Sequence, residues 1–198
     1  MEFREVIARR KMIRSFTDEP VSPEALQRIL ESGRHTGSAG NTHGTSVLVL
    51  DSPETRTRFW ECTGKIGGDP KFPWPELPNA PVILLPLADA TAYHERYRET
   101  DKARHVPEAD LWRIPFWYLD SGFAIQNMLL AATDEGLGAV FFGVFGAHVG
   151  ALITAFEIDP HKEILGAIAI GQPSPNARPS LSAQRGRPAP ETFAIRPR

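Results

Sequence analysis

The chain predicts a single domain of mixed helix and sheet, and three observations carry that expectation. Segments with a helical apolar stripe alternate along the chain with short, continuously apolar runs. Those runs, at residues 46–50, 80–85, 139–145 and 164–171, are rich in Val, Ile, Leu, Phe and Ala and read as four buried strands. Boundary signals fall where such segments need them. Ser22-Pro23-Glu24 and Ser52-Pro53-Glu54 each set a capping hydroxyl, a first-turn proline and an acid in a row, and Gly33 and Gly136-Leu137-Gly138 supply glycine stops. By itself this alternation suggests a parallel sheet.

Taken in order, residues 2–9 form a short amphipathic helix with Phe3, Val6 and Ile7 on one face. The helix opened by Pro23 buries Leu26, Ile29 and Leu30, and the one opened by Pro53 buries Phe59 and Trp60. A glycine- and proline-rich loop at 64–79 carries Phe72, Trp74 and Leu77, which argues for order. The segment 89–114 is the most charged and reads as an exposed excursion or lid. Residues 115–135 make the longest helix. Its Phe116, Leu119, Phe123, Ile125, Met128, Leu129 and Ala132 span most of the circumference and predict a central helix buried on several sides. Val149, Leu152, Ile153 and Phe156 mark one more helix. Residues 172–198 have no periodic face, yet they carry Phe193 and Ile195 as anchors. They are expected to pack as an extension on the domain or on a second copy of it.

Composition narrows the function. With 198 residues, 41% hydrophobic, and a net charge of −2, the chain has a sizeable core and no global attraction for nucleic acid or an anionic membrane. Any anion site must therefore be local. Cys62 is the single cysteine, which excludes an intrachain disulfide and a cysteine metal cluster, and it reads as a small buried hydrophobe. The six histidines show no ligand spacing, so no metal is expected. No signal pattern opens the chain and no apolar run approaches the roughly 20 residues that span a bilayer, so the cytosol is the expected compartment.

Two local features carry chemistry. Arg10, Lys11 and Arg14 place three cations in five residues after the first helix. They could complement the helix dipole and be solvated, or they could clamp a phosphate, with arginine as the bidentate donor. Residues 36–44 are small and polar, with Gly37, Gly40 and Gly44, and would let backbone N–H groups approach a ligand.

These features occur in a fixed order with Gly136-Leu137-Gly138, an aromatic strand ending at Gly143, and Arg185-Gly186-Arg187-Pro188. In that order they resemble the FMN-dependent nitroreductase family, over nearly the whole chain. Its members carry an Arg-Arg-Ser-x-Arg-x-Phe start, a Pro-Ser-Ala-Gly-Asn-x-Gln-Pro-Trp loop, a Gly-Leu-Gly segment and a basic-Pro motif near the end. The resemblance implies an α+β sandwich with a mostly antiparallel central sheet flanked by helices, in an intertwined homodimer. It implies FMN as cofactor, with Arg10 and Lys11, and later Arg185 and Arg187, at its phosphate. Arg14 would stand near the ribityl chain and the N1–C2=O edge, where a positive charge raises the reduction potential. Phe142, Gly143 and Val144 would pass the N5 and O4 edge, and Ser38, Ala39 and Asn41 would come from the opposite subunit.

Met12 stands where the family has serine, Gly37 replaces the loop proline, and His43-Gly44-Thr45 replaces Gln-Pro-Trp. Trp74, Phe116 and Trp117 are candidates for a substrate slot, and Asp120 and Gln126 for polar groups near the site or partners for local backbone. The implied activity is NAD(P)H oxidation coupled by a ping-pong cycle to a nitroaromatic, quinone or similar acceptor, with no catalytic side chain. The alternatives are an FMN store with little turnover, or a specialised flavoenzyme for dehalogenation, dehydrogenation or flavin cleavage.

Overall fold

The computed structural model describes residues 1–64, 72–103 and 112–197. Residues 65–71, within the 64–79 loop, and 104–111, within the charged segment, lie outside the described residues. The helices are α1 (Phe3–Arg9), α2 (Pro23–Arg34), α3 (Pro53–Cys62), α4 (Ala90–Arg96), α5 (Phe116–Asp134), α6 (Gly146–Phe156) and the single turn α7 (Pro190–Phe193). The strands are β1 (Thr45–Leu50), β2 (Val82–Asp89), β3 (Gly138–Phe142), β4 (Lys162–Ile164) and β5 (Ala167–Gly171). Ser22 and Ser52 cap as their positions predict: each hydroxyl accepts the backbone N–H three residues on, at 3.2 Å.

The sheet runs in the order β1-β2-β5-β3, with β4 also on β2, and every pairing between these strands is antiparallel. The family resemblance gave the right sheet, and helix–strand alternation alone gave the wrong one. The reason is burial. Continuous apolar strands signal a sheet covered on both faces, whatever the direction of its strands. Along β2, Ile83, Leu85 and Leu87 join Phe59, Trp60 and Leu152 of α3 and α6, while Val82 and Leu84 join Ile29, Ile125 and Met128 of α2 and α5. In β5, Ala167 and Ala169 face the first cluster and Ile168 and Ile170 the second. The fold is a sheet between two helical layers.

Five expectations need correction. Residues 164–171 hold the end of one strand and all of another, because Gly166 (φ +147°) breaks the run where an added Cβ would lie 2.6 Å from the Phe142 carbonyl oxygen. The break matches Pro86, which lacks an N–H and sits between the β2 residues that pair β5 and those that pair β4. The 139–145 strand stops at Phe142, and Phe145 is exposed. In α1 only Val6 is buried, with Phe3 and Ile7 outward. On α5, Ile125, Met128, Leu129 and Ala132 are buried as predicted, but Leu119 and Phe123 (51% exposed) are not. Cys62 is half-buried, with its Sγ toward the Ala151 carbonyl. Among the described residues, no helix is long and apolar enough to cross a membrane and no cluster of potential metal ligands forms.

Leu84 is fully buried at the centre of the sheet. Leu84→Ala should lower the unfolding free energy by about 2–5 kcal/mol, read as a lower urea midpoint at an unchanged slope.

Candidate functional site

The cationic stretch is tied to the β3 edge of the sheet. Arg10 ends α1, its N–H donating to the Val6 carbonyl. The chain then extends, so that Met12 pairs in parallel with Ala139 and the Ile13 N–H donates to the Ala139 carbonyl at 3.0 Å. The Met12 side chain, in place of a hydroxyl, packs against both apolar clusters. The Arg14 guanidinium donates to the Met12 carbonyl at 3.2 Å and lies 5.4 Å from the centre of the Trp74 ring. Trp74 is therefore a seat for Arg14. Lys11 is exposed. Arg10 Nη1 is buried and has no hydrogen-bond partner among the described residues. An unmet charged donor is costly, and an anion would relieve it.

At the end of β3, the Phe142 ring stacks parallel on Trp60 with centroids 6.1 Å apart. That turns the aromatic side chain inward and leaves the Gly143 backbone exposed; a Cβ added there meets open space. Val144 packs at the rim of the same core.

The 36–44 loop belongs to the other edge. Ser38 Oγ accepts the His43 N–H at 2.9 Å, the Asn41 N–H reaches the Ser38 carbonyl at 2.9 Å, and His43 Nε2 meets Asn41 Oδ1 at 2.9 Å. Gly40, Asn41 and His43 all have left-handed backbones (φ +65°, +57°, +54°). The brace comes from α4 and α5. Arg96 Nε donates to the Gly40 carbonyl at 2.9 Å, and Tyr97 fills the space a Gly40 Cβ would need. Arg96 also forks onto Asp101 with two bonds of 2.7 Å, which draws the Asp101 carboxyl down to about 2. Asp120 Oδ2 accepts the Ala39 N–H at 2.8 Å and the Tyr93 O–H at 2.7 Å. Burial, and then the Asp120 carboxylate, push the Tyr93 phenol well above its ordinary 10.0.

The charged segment divides over its described first part: α4 packs through the fully buried Tyr93 and supports the loop, while residues 98–101 are exposed. Tyr93, Tyr97, Trp112 and Trp117 form one aromatic cluster, which absorbs Trp117, while Phe116 lines a groove beside the loop. Gln126 is exposed. Asp120 does bond backbone, but backbone 81 residues away. A carboxylate amid an apolar helix signalled a need for donors; nothing in the sequence pointed to Tyr93 or Arg96. The loop also borders a cleft of about 510 Å³ with Gly33, Arg34, Val47 and Asp120 on its walls.

The expected residues therefore form two groups. Met12 and Arg14 lie with Phe142 on the β3 side, and Ser38, Ala39 and Asn41 lie ahead of β1. Register turns Phe142 toward the Thr45 end of the sheet, since Thr45 pairs with Ala88 and Phe142 with Ala167, whereas Met12, beside Ala139, lies level with Val82 at the opposite end. β2 and β5 stand between their edges, three strand spacings or about 14 Å. No hydrogen bond joins the two groups among the described residues. Arg185, at the end of a short turn, and Arg187 are exposed and bonded to neither.

The Tyr93 shift gives a pH dependence. The phenol is raised when folded, so its stabilisation is complete below the unfolded value of 10.0 and is lost as pH rises above it. Tyr93 should ionise only with unfolding, read as tyrosinate absorbance rising together with loss of circular dichroism, and Tyr93→Phe should flatten the alkaline fall in stability.

The nitroreductase family model matches residues 7–66 and 69–172. An FMN reductase (NAD(P)H) of Bacillus subtilis is 28% identical over 164 residues, which cover 83% of this chain but 63% of that protein. The chain thus spans less than two thirds of that relative. A Desulfovibrio desulfuricans protein described as a nitroreductase, solved in complex with FMN, is 27% identical with a TM-score of 0.67, covering 100% of this chain and 98% of that one. B. megaterium NfrA2 superposes with a TM-score of 0.74 at 22% identity, over 99% of this chain and 74% of its own, a likeness of fold. The family match takes in every strand of the sheet and both groups of site residues except the arginines of the tail, and the chain belongs to the nitroreductase family.

Proposed function

We propose that the protein is a homodimeric, FMN-dependent oxidoreductase that oxidises NAD(P)H and passes the electrons to a nitroaromatic, quinone or similar small acceptor in two alternating half-reactions. The observation that carries this reading is Arg10 Nη1, a buried guanidinium donor with no partner among the described residues, in the stretch that pairs with β3. A phosphomonoester, with about −1.5 to −2 charge near neutral pH, fits such a donor. The Bacillus FMN reductase and the FMN-bound Desulfovibrio protein support the choice of that cofactor.

In this reading Arg10 and Lys11 hold the phosphate, joined by Arg185 and Arg187 of the tail. Arg14, held over Trp74, presents its charge to the pyrimidine edge. The exposed backbone at Gly143, flanked by Phe142 and Val144, offers an N–H with no side chain to block approach. Ser38, Ala39 and Asn41 reach the same cofactor from the second subunit. Bound FMN supplies the hydride chemistry itself, so no side-chain acid or base is required at the transfer.

The dimer follows from separation and exposure. The two groups occupy opposite edges of one sheet, so a single cofactor draws them together most simply from two chains. Leu119 and Phe123 present an exposed apolar stripe on α5 beside the loop. Residues 172–174 of the extension bond Ser15 and Thr17 of their own domain, while Phe193 and Ile195 are each 84% exposed, which leaves the end of the extension to pack on the partner.

Arg10→Ala and Arg187→Ala should each weaken FMN binding by about 1.5–3 kcal/mol, measured by titrating FMN into FMN-free protein; unchanged affinity in both would misplace the phosphate. Phe123→Asp should shift the protein from dimer toward monomer in sedimentation and lose FMN with it, and a wild type that is monomeric with FMN bound would sink the dimer. Anaerobic NADH or NADPH should bleach the flavin absorbance. A bound flavin that neither nucleotide bleaches would leave a binding protein, or a flavoenzyme of another kind.

A further inference from the structure

We propose that Asp120, together with Tyr93, is the positioning residue that sets the 36–44 loop for its cofactor, a role that rests on the FMN reading above. A single oxygen, Asp120 Oδ2, accepts both the Ala39 N–H and the Tyr93 O–H, at 2.8 and 2.7 Å. The residue is 4% exposed, and no cation pairs with it among the described residues. Its carboxylate is therefore held by those two donors. One of them lies in the loop, between Ser38 and Asn41, two of the expected cofactor contacts.

Tyr93 acts on the far end of the same loop. An added Cβ at Gly44 would meet the Tyr93 ring at 2.5 Å, so ring and loop backbone are in direct contact. Asp120 thus fixes the Ala39 end by a charge-assisted hydrogen bond, and through the Tyr93 hydroxyl it fixes the ring against which Gly44 rests. Between the two ends lie the left-handed Gly40, Asn41 and His43. Left-handed residues other than glycine persist where the surroundings over-determine them. α5 is a suitable support because its other face is locked into the core through Ile125, Met128 and Leu129. Asp120 need not touch the cofactor: it orders the groups that do.

The test combines FMN titration with hydrogen exchange of the loop, on the full chain. Asp120→Ala removes the acceptor for both bonds. Asp120→Asn keeps one oxygen able to accept both, and Asp120→Leu fills the space with no acceptor, so a loss that asparagine reverses and leucine does not belongs to the hydrogen bonds and not to packing. FMN Kd should rise about tenfold to a hundredfold in Asp120→Ala, the span of a charge-assisted hydrogen bond, and fall most of the way back in Asp120→Asn. Backbone exchange over residues 38–43 should quicken in FMN-free Asp120→Ala and be largely restored in Asp120→Asn. If Asp120→Ala does not fold, Tyr93→Phe, which removes one hydroxyl, carries the test with a smaller rise of about threefold to tenfold. An unchanged Kd with unchanged exchange, or an asparagine variant as weak as the alanine one, overturns the role. If the wild type takes up no FMN, the functional reading fails. Exchange then decides alone: quickening in Asp120→Ala keeps the positioning role, and no change removes it.

Discussion

A sheet buried on both faces constrains everything else in this molecule. Ile83, Leu85 and Leu87 of β2 are claimed by α3 and α6, and Val82 and Leu84 by α2 and α5, so the middle of the sheet is covered on both faces. Chemistry is pushed to the edges and the strand ends. β3 carries one edge, with Met12 paired alongside, and β1 carries the other, with the 36–44 loop just before it. The same constraint that makes the core strong sets the two groups of candidate residues at opposite edges of the sheet.

That division also explains what was legible in the sequence. Burial on both faces writes itself as unbroken apolar runs, so the strands could be found from residues alone, and Ser22 and Ser52 marked their helices through chemistry local to each cap. Strand direction left no such trace. A run such as 80–85 reads the same in a parallel or an antiparallel sheet, and only the family resemblance separated them. The break at Gly166 and Pro86 was equally hidden, because it depends on which strand lies beside which.

The candidate site was legible where its chemistry is concentrated in short motifs: the cations at 10–14 and the small residues at 36–44. Its supports were not. Tyr93 and Arg96 sit in a charged stretch that looked solvated, and they matter because folding brings α4 against the loop. Trp74 looked like a wall for a substrate and proved to lie under a guanidinium. Contacts made over 27 to 81 residues of chain have no periodicity to betray them. Asp120 stood out only because a carboxylate amid apolar neighbours demands donors.

The position of β1 at the end of the sheet has a consequence for the chain while it is being made. Among the described residues, β1 pairs only with β2, so its other side keeps a row of backbone donors and acceptors unsatisfied by any strand, with Val47 and Val49 half-exposed. Such an edge is a template for any extended segment that meets it. In a newly made chain it invites mispairing with a neighbour still on the ribosome or crowded in an inclusion body. Covering that edge promptly is then a requirement of biogenesis, separate from any requirement of catalysis.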